Sequence, residues 1–139
     1  MFEDRYGSPL TTRSQSARDA YVEGLDLFLC AQVGVEARMD AAITADEAFA
    51  MPHLVHARLH TVMGRGPQAR AALAEARARV QGVSAREAAM IEMIGDLMEG
   101  RGEAGYGKIR AHLRDFPRDV IAAQTCMGVF GLIGFRFMR

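Results

Sequence analysis

The sequence predicts an all-α protein in which about seven antiparallel helices stack as helical hairpins, forming a short solenoid. The first observation is a repeat, because Gly64-Arg65-Gly66 recurs 36 residues later as Gly100-Arg101-Gly102. A fixed period of this length is typical of helical-hairpin repeats. The second observation is that apolar residues recur at helical spacing, and no segment alternates with period two. We expect one helical-repeat domain over residues 1–139, since short connections make successive helices antiparallel neighbours.

The composition argues against several classes of partner. The 139 residues include 17 basic and 17 acidic side chains, so the net charge is zero. A neutral chain gives no electrostatic reason to expect a nucleic-acid partner or a membrane partner. Lys108 is the only Lys, and the Arg-rich and Ala-rich composition resembles a GC-rich bacterial coding bias.

The cysteines and the N-terminus indicate a cytoplasmic protein. Cys30 and Cys126 lie within apolar helical patterns and lack C-x-x-C spacing, so we expect buried free thiols in a reducing compartment. The first five residues are mostly charged, and no apolar stretch follows them. A secretory signal is therefore not expected.

Residues 1–13 are expected to form an extended arm. Gly7 favours a turn, and Pro9 biases the residue before it away from the helical conformation. The arm could be a frayed tail. Against that interpretation, Tyr6 and Leu10 are apolar enough to dock on a neighbouring surface.

Capping signals place the first two helices. Ser16, with Asp19 three residues later, is expected to begin the first helix, because a Ser side chain at this position accepts a free backbone N–H. Gly34 is expected to end that helix. A shorter second helix follows through residues 39–43.

The third and fourth helices flank the first copy of the repeat. Thr44, with a Glu three residues later, repeats the capping signature, but a helix from there would carry Pro52 in its interior. This Pro is tolerable if the helix begins near Phe49 or bends. The third helix is expected to end near Gly64, and the fourth to start at Pro67 and run through residue 80.

The fifth to seventh helices follow from one capping box and one proline. Ser84 and Glu87 form a complete capping-box sequence that opens the fifth helix. The sixth helix carries apolar residues at 109, 113 and 116 and ends at Pro117. The seventh is expected to start near Asp119 and to continue to about residue 135.

The repeated hairpin resembles the tetratricopeptide repeat. Counted from Gly64, the three small positions of that family's motif fall on Ala57, Ala69 and Ala76. Counted from Gly100, the small position of the second helix is Gly105, and the terminal proline is Pro117. The copies diverge from the motif, since Met93 and His112 stand where small residues are expected and the family's period is about 34 residues. The first hairpin, residues 16–45, fits loosely, with Gly24 one position out of register.

The chain is also similar to the N-terminal part of the tetratricopeptide repeat protein 38 family. The residues that carry this resemblance are Asp4, Tyr6-Gly7, Pro9-Leu10-Thr11-Thr12, Ala20-Tyr21, Gly24-Leu25, Phe116-Pro117-Arg118-Asp119 and Phe130-Gly131-Leu132-Ile133-Gly134-Phe135. The last string is the most specific, while residues 136–139 depart from the family pattern. The resemblance implies a scaffold without enzymatic activity that binds another molecule.

The terminal helix, residues 118–139, is expected to lack a following helix that would cover it. Its apolar side chains are Val129, Phe130, Leu132, Ile133, Phe135 and Phe137. Burying each contributes about 1.5–3 kcal/mol, so together they represent about 10 kcal/mol, comparable with the net stability of a domain. We therefore expect a homodimer through this helix. A truncated solenoid and a hydrophobic ligand are the alternatives, while the apolar run of about 16 residues is short for a membrane span of about 20.

His53, His56 and His60 share one face of the third helix and are expected to line a partner-binding groove. The apolar residues on the opposite side are Met51, Val55, Leu59 and Val62. The i, i+4 spacing of His56 and His60 is also used for zinc. A metal-binding or small-molecule-binding protein is therefore the alternative function, although no acidic or cysteine ligand is evident and we expect no metal or cofactor.

No group of residues predicts an enzyme. Ser16 and Ser84 are explained as helix caps, and no nucleophile lies in a G-x-S-x-G setting. The repeated glycines follow no strand and precede no Gly-Lys-Ser/Thr, so they are not a phosphate-binding loop. The sequence predicts a scaffold that binds a protein or peptide through the inner faces of its first, third, fifth and seventh helices.

Overall fold

The computed structural model describes residues 1–126 and confirms the all-α class: of seven helices in this range, the first six pack pairwise as three consecutive hairpins. The helices are α1 (Gln15–Leu29), α2 (Val35–Ala45), α3 (Met51–Val62), α4 (Gly66–Ala78), α5 (Ala85–Met98), α6 (Gly102–Asp115) and α7, which is described over residues 120–126. A 3-10 turn covers Val80–Gly82, and two short strands, β1 (Phe2–Glu3) and β2 (Pro9–Leu10), lie in the arm. The chain divides into two compact units, residues 1–91 and 92–139.

The first helix of each of the three hairpins ends with the same local geometry. At each turn one residue has a left-handed backbone. These residues are Ala31 (φ 53°), Gly64 (φ 71°) and Gly100 (φ 82°). The next residue donates its N–H to the carbonyl five residues earlier, at 2.8 Å in each case: Gln32 to Leu27, Arg65 to His60 and Arg101 to Asp96. This is the Schellman motif, which satisfies carbonyls left free at a helix end. The repeat therefore has a third member in the first hairpin.

Gly24 lies seven residues before Ala31, just as Ala57 lies seven residues before Gly64. The connection that follows is two residues longer in the first hairpin, because α2 begins four residues after Ala31 whereas α4 begins two residues after Gly64. The first hairpin therefore matches the others up to its turn and is out of register after it. A Cβ added at Gly24 would lie 2.7 Å from Met39 Cε, so α2 packs closely against this glycine.

The predicted start and end of α1 were both misplaced. Ser14 caps the helix, with its Oγ accepting the N–H of Ala17 at 3.1 Å, whereas Ser16 lies inside the first turn. Both serines have a polar side chain near the helix start, and spacing alone did not distinguish them. The helix ends at Leu29, and Gly34 (φ 101°) instead precedes α2.

The start of α3 settles the question raised by Pro52. Thr44 lies inside α2, so its predicted role as a cap was wrong. The helix begins at Met51, which places Pro52 in the first turn, where a missing N–H removes no helical hydrogen bond. Pro67 has the corresponding place in α4, as predicted. That helix ends at Ala78 rather than reaching residue 80.

The arm forms a small β-hairpin, although no segment of the sequence alternates with period two. Phe2 pairs with Leu10 in the antiparallel strands. The Asp4 side chain builds the turn, since its Oδ1 accepts the N–H groups of Tyr6 and Ser8, both at 2.9 Å. A short polar side chain that binds nearby backbone N–H groups is a standard turn device.

The core of the first unit lies where the first two hairpins meet. Tyr21 of α1 and Phe49, just before α3, are fully buried and contact edge to face, with ring centroids 5.2 Å apart. Leu25, Met39 and Leu54 are buried with them.

The second unit, described for residues 92–126, contains α6 and its partners on α5 and α7. Asp96 accepts hydrogen bonds from Lys108 Nζ and Arg101 Nη2, both at 2.7 Å, and these bonds lower the pKa of its carboxyl group. His112 is buried and its Nε2 donates to Asp119 Oδ2 at 2.8 Å, which ties the end of α6 to the start of α7.

The predicted interface residues of the terminal helix lie outside the described residues. These are Val129, Phe130, Leu132, Ile133, Phe135 and Phe137. Among the described residues, no helix has the length and hydropathy needed to cross a membrane.

Candidate functional site

Helix α3, which carries the three histidines, is packed on most of its circumference. Residues 51–55 are all buried, and the helix contacts α4, α2 and α1. The expected division into a histidine face and an apolar face therefore holds only in part. Val62, predicted on the apolar side, is 63% exposed at the end of the helix, while Arg58 is buried.

His53 lies inside the protein rather than on an accessible face. It is 8% exposed, and its Nε2 has no hydrogen-bond partner among the described residues. Burial lowers the pKa of His53 from 6.5 to about 4, with a further contribution from the positive charge of Arg79, while Glu75 acts in the opposite direction. The ring is therefore neutral at pH 7.

His56 and His60 remain partly accessible and face α2. Their rings stack in parallel, with centroids 5.8 Å apart and an interplanar angle of 10°. His56 Nε2 lies 3.0 Å from Asp40 Oδ1, which fixes the orientation of this ring. Burial lowers the pKa of His60, and His56 lowers it further.

Charged side chains continue this surface toward the turn between α3 and α4. Arg65, in that turn, forms an ion pair with Glu36 at the start of α2. Together with the Asp40 contact, the pair makes a polar seam along the junction of the first two hairpins. The sequence could not reveal the seam, because Glu36 and Asp40 lie on α2 and meet Arg65 and His56 only when α2 packs against α3.

The chemistry available to the histidines is limited by their neighbours. Within residues 1–126, no three His, Cys, Asp or Glu side chains are grouped so as to hold one metal ion. The contacts formed by His56 and His60 with described residues involve no Ser, Thr or Cys hydroxyl or thiol. The arrangement offers polar and aromatic surface for a partner, with an imidazole oriented by a carboxylate.

The arm makes a second set of contacts, with the helical part of the chain. The sequence predicted only that Tyr6 and Leu10 could dock on a neighbouring surface. Leu10 is 1% exposed, and Tyr6 is half-buried. Thr12 Oγ1 donates to Asp46 Oδ2 at 2.6 Å, in the connection between α2 and α3. Thr11 Oγ1 accepts the N–H of Ser84 at 3.2 Å, just before α5. Two adjacent residues of the arm thus link successive hairpins of the first unit.

The start of α5 binds the main chain of the arm. Arg86 Nη1 donates to the carbonyl of Pro9 at 2.9 Å, and Glu87 Oε1 accepts the N–H of Thr11 at 2.7 Å. Ser84 Oγ accepts the N–H of Glu87 at 3.3 Å, as the capping box predicts. The Glu87 carboxylate, however, binds the arm, because the Thr11 amide lies within its reach.

An open cleft of about 930 Å³ lies beside the arm. Its walls include Leu10 and Thr12 of the arm, Asp46 before α3, and Arg79 and Ser84 between α4 and α5. Burial alternates along this part of the arm, with Ser8, Leu10 and Thr12 buried. The sequence itself does not alternate between apolar and polar residues there, because Ser8 and Thr12 are polar, so it gave no signal for this region.

The comparisons with known proteins gave no match: neither a family model, nor a curated protein, nor a solved structure matches this chain.

Proposed function

We propose that this protein is a non-enzymatic scaffold of the tetratricopeptide-repeat type that binds a peptide or protein. The observation that supports the proposal most is the shared turn of the three hairpins, with left-handed residues at Ala31, Gly64 and Gly100. Stacked hairpins of one geometry create the extended surfaces that helical-repeat proteins use for binding. The similarity to the tetratricopeptide repeat protein 38 family points the same way.

The proposed contact surface is the accessible side of α3, centred on His56 and His60. Parallel imidazole rings present flat, partly apolar surface, and Asp40 keeps one of them in place. Oriented aromatic groups of this kind are favourable contact residues because little side-chain freedom is lost on binding. His53 takes no direct part, since it is buried.

A pull-down with matched variants tests this surface. The tagged wild type, the double variant His56→Ala/His60→Ala and the control Arg70→Ala would be compared, with circular dichroism confirming that each folds. Arg70 is exposed on α4, so its loss removes surface charge without touching the histidines. We expect a partner that the wild type and the control retain and the double variant loses. Equal retention by all three would contradict the proposed surface.

We also propose self-association through residues 118–139 and a cytoplasmic location. Cys30 and Cys126 are free thiols, although Cys30 is exposed at the end of α1 rather than buried as expected. The basis for the dimer is the set of apolar side chains in the terminal segment, which need cover. Light scattering should give the dimer mass for the full chain and the monomer mass for a chain that ends at residue 126. A monomer of the full chain at about micromolar concentration, near the Kd range of ordinary specific complexes, would reject self-association.

A further inference from the structure

Two buried charged side chains at the start of α5 hold the main chain of the arm on either side of one residue. Arg86 donates to the Pro9 carbonyl, and Glu87 accepts the Thr11 N–H. Arg86 is 6% exposed and Glu87 is fully buried, so both charged groups lie inside the protein. We call Arg86 and Glu87 the clamp. Between its two hydrogen bonds, the Leu10 side chain is buried.

The clamp recognises features that many peptides could supply. Its two hydrogen bonds go to a backbone carbonyl and a backbone N–H, which every extended peptide presents, as in recognition by strand addition. The buried Leu10 adds a preference for an aliphatic side chain between them. The Ser84 N–H, which donates to Thr11 Oγ1, adds a preference for a hydroxyl in the next residue.

The arm lies on its site as an extended ligand does. Burial alternates along it, with Ser8, Leu10 and Thr12 buried and Pro9 exposed between two of them. Its connection to the helices is a single exposed residue, Arg13, which forms no hydrogen bond or ion pair with any described residue. The Ser14 N–H donates to Thr12 Oγ1 at 3.2 Å across Arg13, so one hydrogen bond spans this connection.

We propose that the clamp is a recognition site for an extended peptide with an aliphatic residue followed by a hydroxyl residue, and that residues 9–12 are its tethered occupant. A short tether gives the arm an effective concentration of about millimolar at the clamp. A partner peptide must therefore bind the clamp more tightly than the arm does, or bind after the arm has left it. The proposal shares with the proposed function only the ligand class, a peptide. Its site is separate from His56 and His60.

The test releases the arm from the folded chain. A specific protease site is inserted between Arg13 and Ser14 of the full chain, and the protein is cleaved after folding. A synthetic peptide of residues 1–13, labelled at the exposed Met1, is then added, and fluorescence anisotropy follows its exchange into the site. We expect one peptide to bind per chain, with the helical circular dichroism signal retained throughout.

Two modified peptides identify the clamp as the cause of binding. An ester in place of the Thr11 amide removes the N–H that Glu87 accepts, and it should weaken binding about tenfold or more, the loss for one hydrogen bond to a charged acceptor. The matched control is an ester at Arg13, whose N–H bonds to no described residue, and its affinity should equal that of the unmodified peptide. The changes lie in the peptide, so the protein's own folding is unaffected.

Three results would overturn the proposal: no exchange of peptide, equal weakening by the two esters, or loss of helical signal when the arm leaves. The last would make the arm part of the core rather than a ligand. Failure here leaves the histidine surface standing, because that surface is tested by the His56→Ala/His60→Ala variant instead.

Discussion

The neutral, buried His53 should make the protein less stable as the pH falls below neutrality. Its pKa is lowered from 6.5 to about 4, so between these values the unfolded chain binds a proton that the folded chain does not. Stability therefore falls as the pH decreases through this window. The charged and titratable groups that act on the ring are Arg79, Glu75 and His56.

The magnitude follows from the pKa change. One pKa unit corresponds to about 1.4 kcal/mol, so the loss between pH 7 and pH 5 should be about 2 kcal/mol. We choose pH 5 because unperturbed Asp and Glu carboxyls, with pKa values of about 4, remain mostly ionised there. The replacement His53→Gln keeps a neutral polar side chain of similar size at both pH values, and it should therefore lack this loss.

Urea unfolding monitored by circular dichroism gives the free energies at both pH values. The quantity of interest is the change in stability from pH 7 to pH 5 for the wild type minus the same change for His53→Gln. Other groups with altered pKa values, including His60, are present in both proteins, so their contributions to the change in stability largely cancel. A difference below about 0.5 kcal/mol, the usual limit of additivity between independent sites, would refute the description of His53 as buried and neutral.

Three further substitutions test the packing and the turns, with stability measured by urea unfolding. Gly105→Ala should destabilise the protein by about 1–3 kcal/mol, because the new Cβ would lie 2.9 Å from a Leu side chain and 3.1 Å from a backbone oxygen of α5. The control Gly107→Ala should stabilise it by about 0.5–1 kcal/mol, because a Cβ there has no atom within 4 Å and alanine favours the helix. Equal effects would contradict the close approach of α5 and α6. Ala31→Gly should stabilise by about 0.5–1 kcal/mol, since it relieves a left-handed backbone (φ 53°), and destabilisation would contradict that turn. Asp119→Ala should cost about 1–3 kcal/mol by leaving the buried His112 nitrogen without its acceptor, and an unchanged midpoint would argue against the pair.

The features of the fold that the sequence could predict are those with local signals. Gly64, Gly100 and Pro117 mark turns and helix ends by their own backbone properties, and helical periodicity locates the segments between them. Ala31 has the same left-handed backbone without such a signal, so the sequence did not indicate the turn after α1. Alanine does not favour this conformation, and a local pattern therefore could not predict it.

The candidate site was predicted less completely because it depends on contacts between distant segments. The spacing of His56 and His60 placed them together on α3, but their partner Asp40 lies on the preceding helix. The same periodicity could not show that His53 would be buried. Thr11 and Glu87 are separated by 76 positions, so their hydrogen bond could be found only in the folded chain.

Amide hydrogen exchange at the three hairpin turns tests the repeated architecture most directly. The N–H groups of Gln32, Arg65 and Arg101 each donate to a carbonyl at 2.8 Å, and we expect all three to be protected well beyond the rate of an unstructured peptide. If one of them exchanges at the unstructured rate while neighbouring helical amides stay protected, the three hairpins do not share a turn, and the description of the chain as a repeat of one unit is wrong.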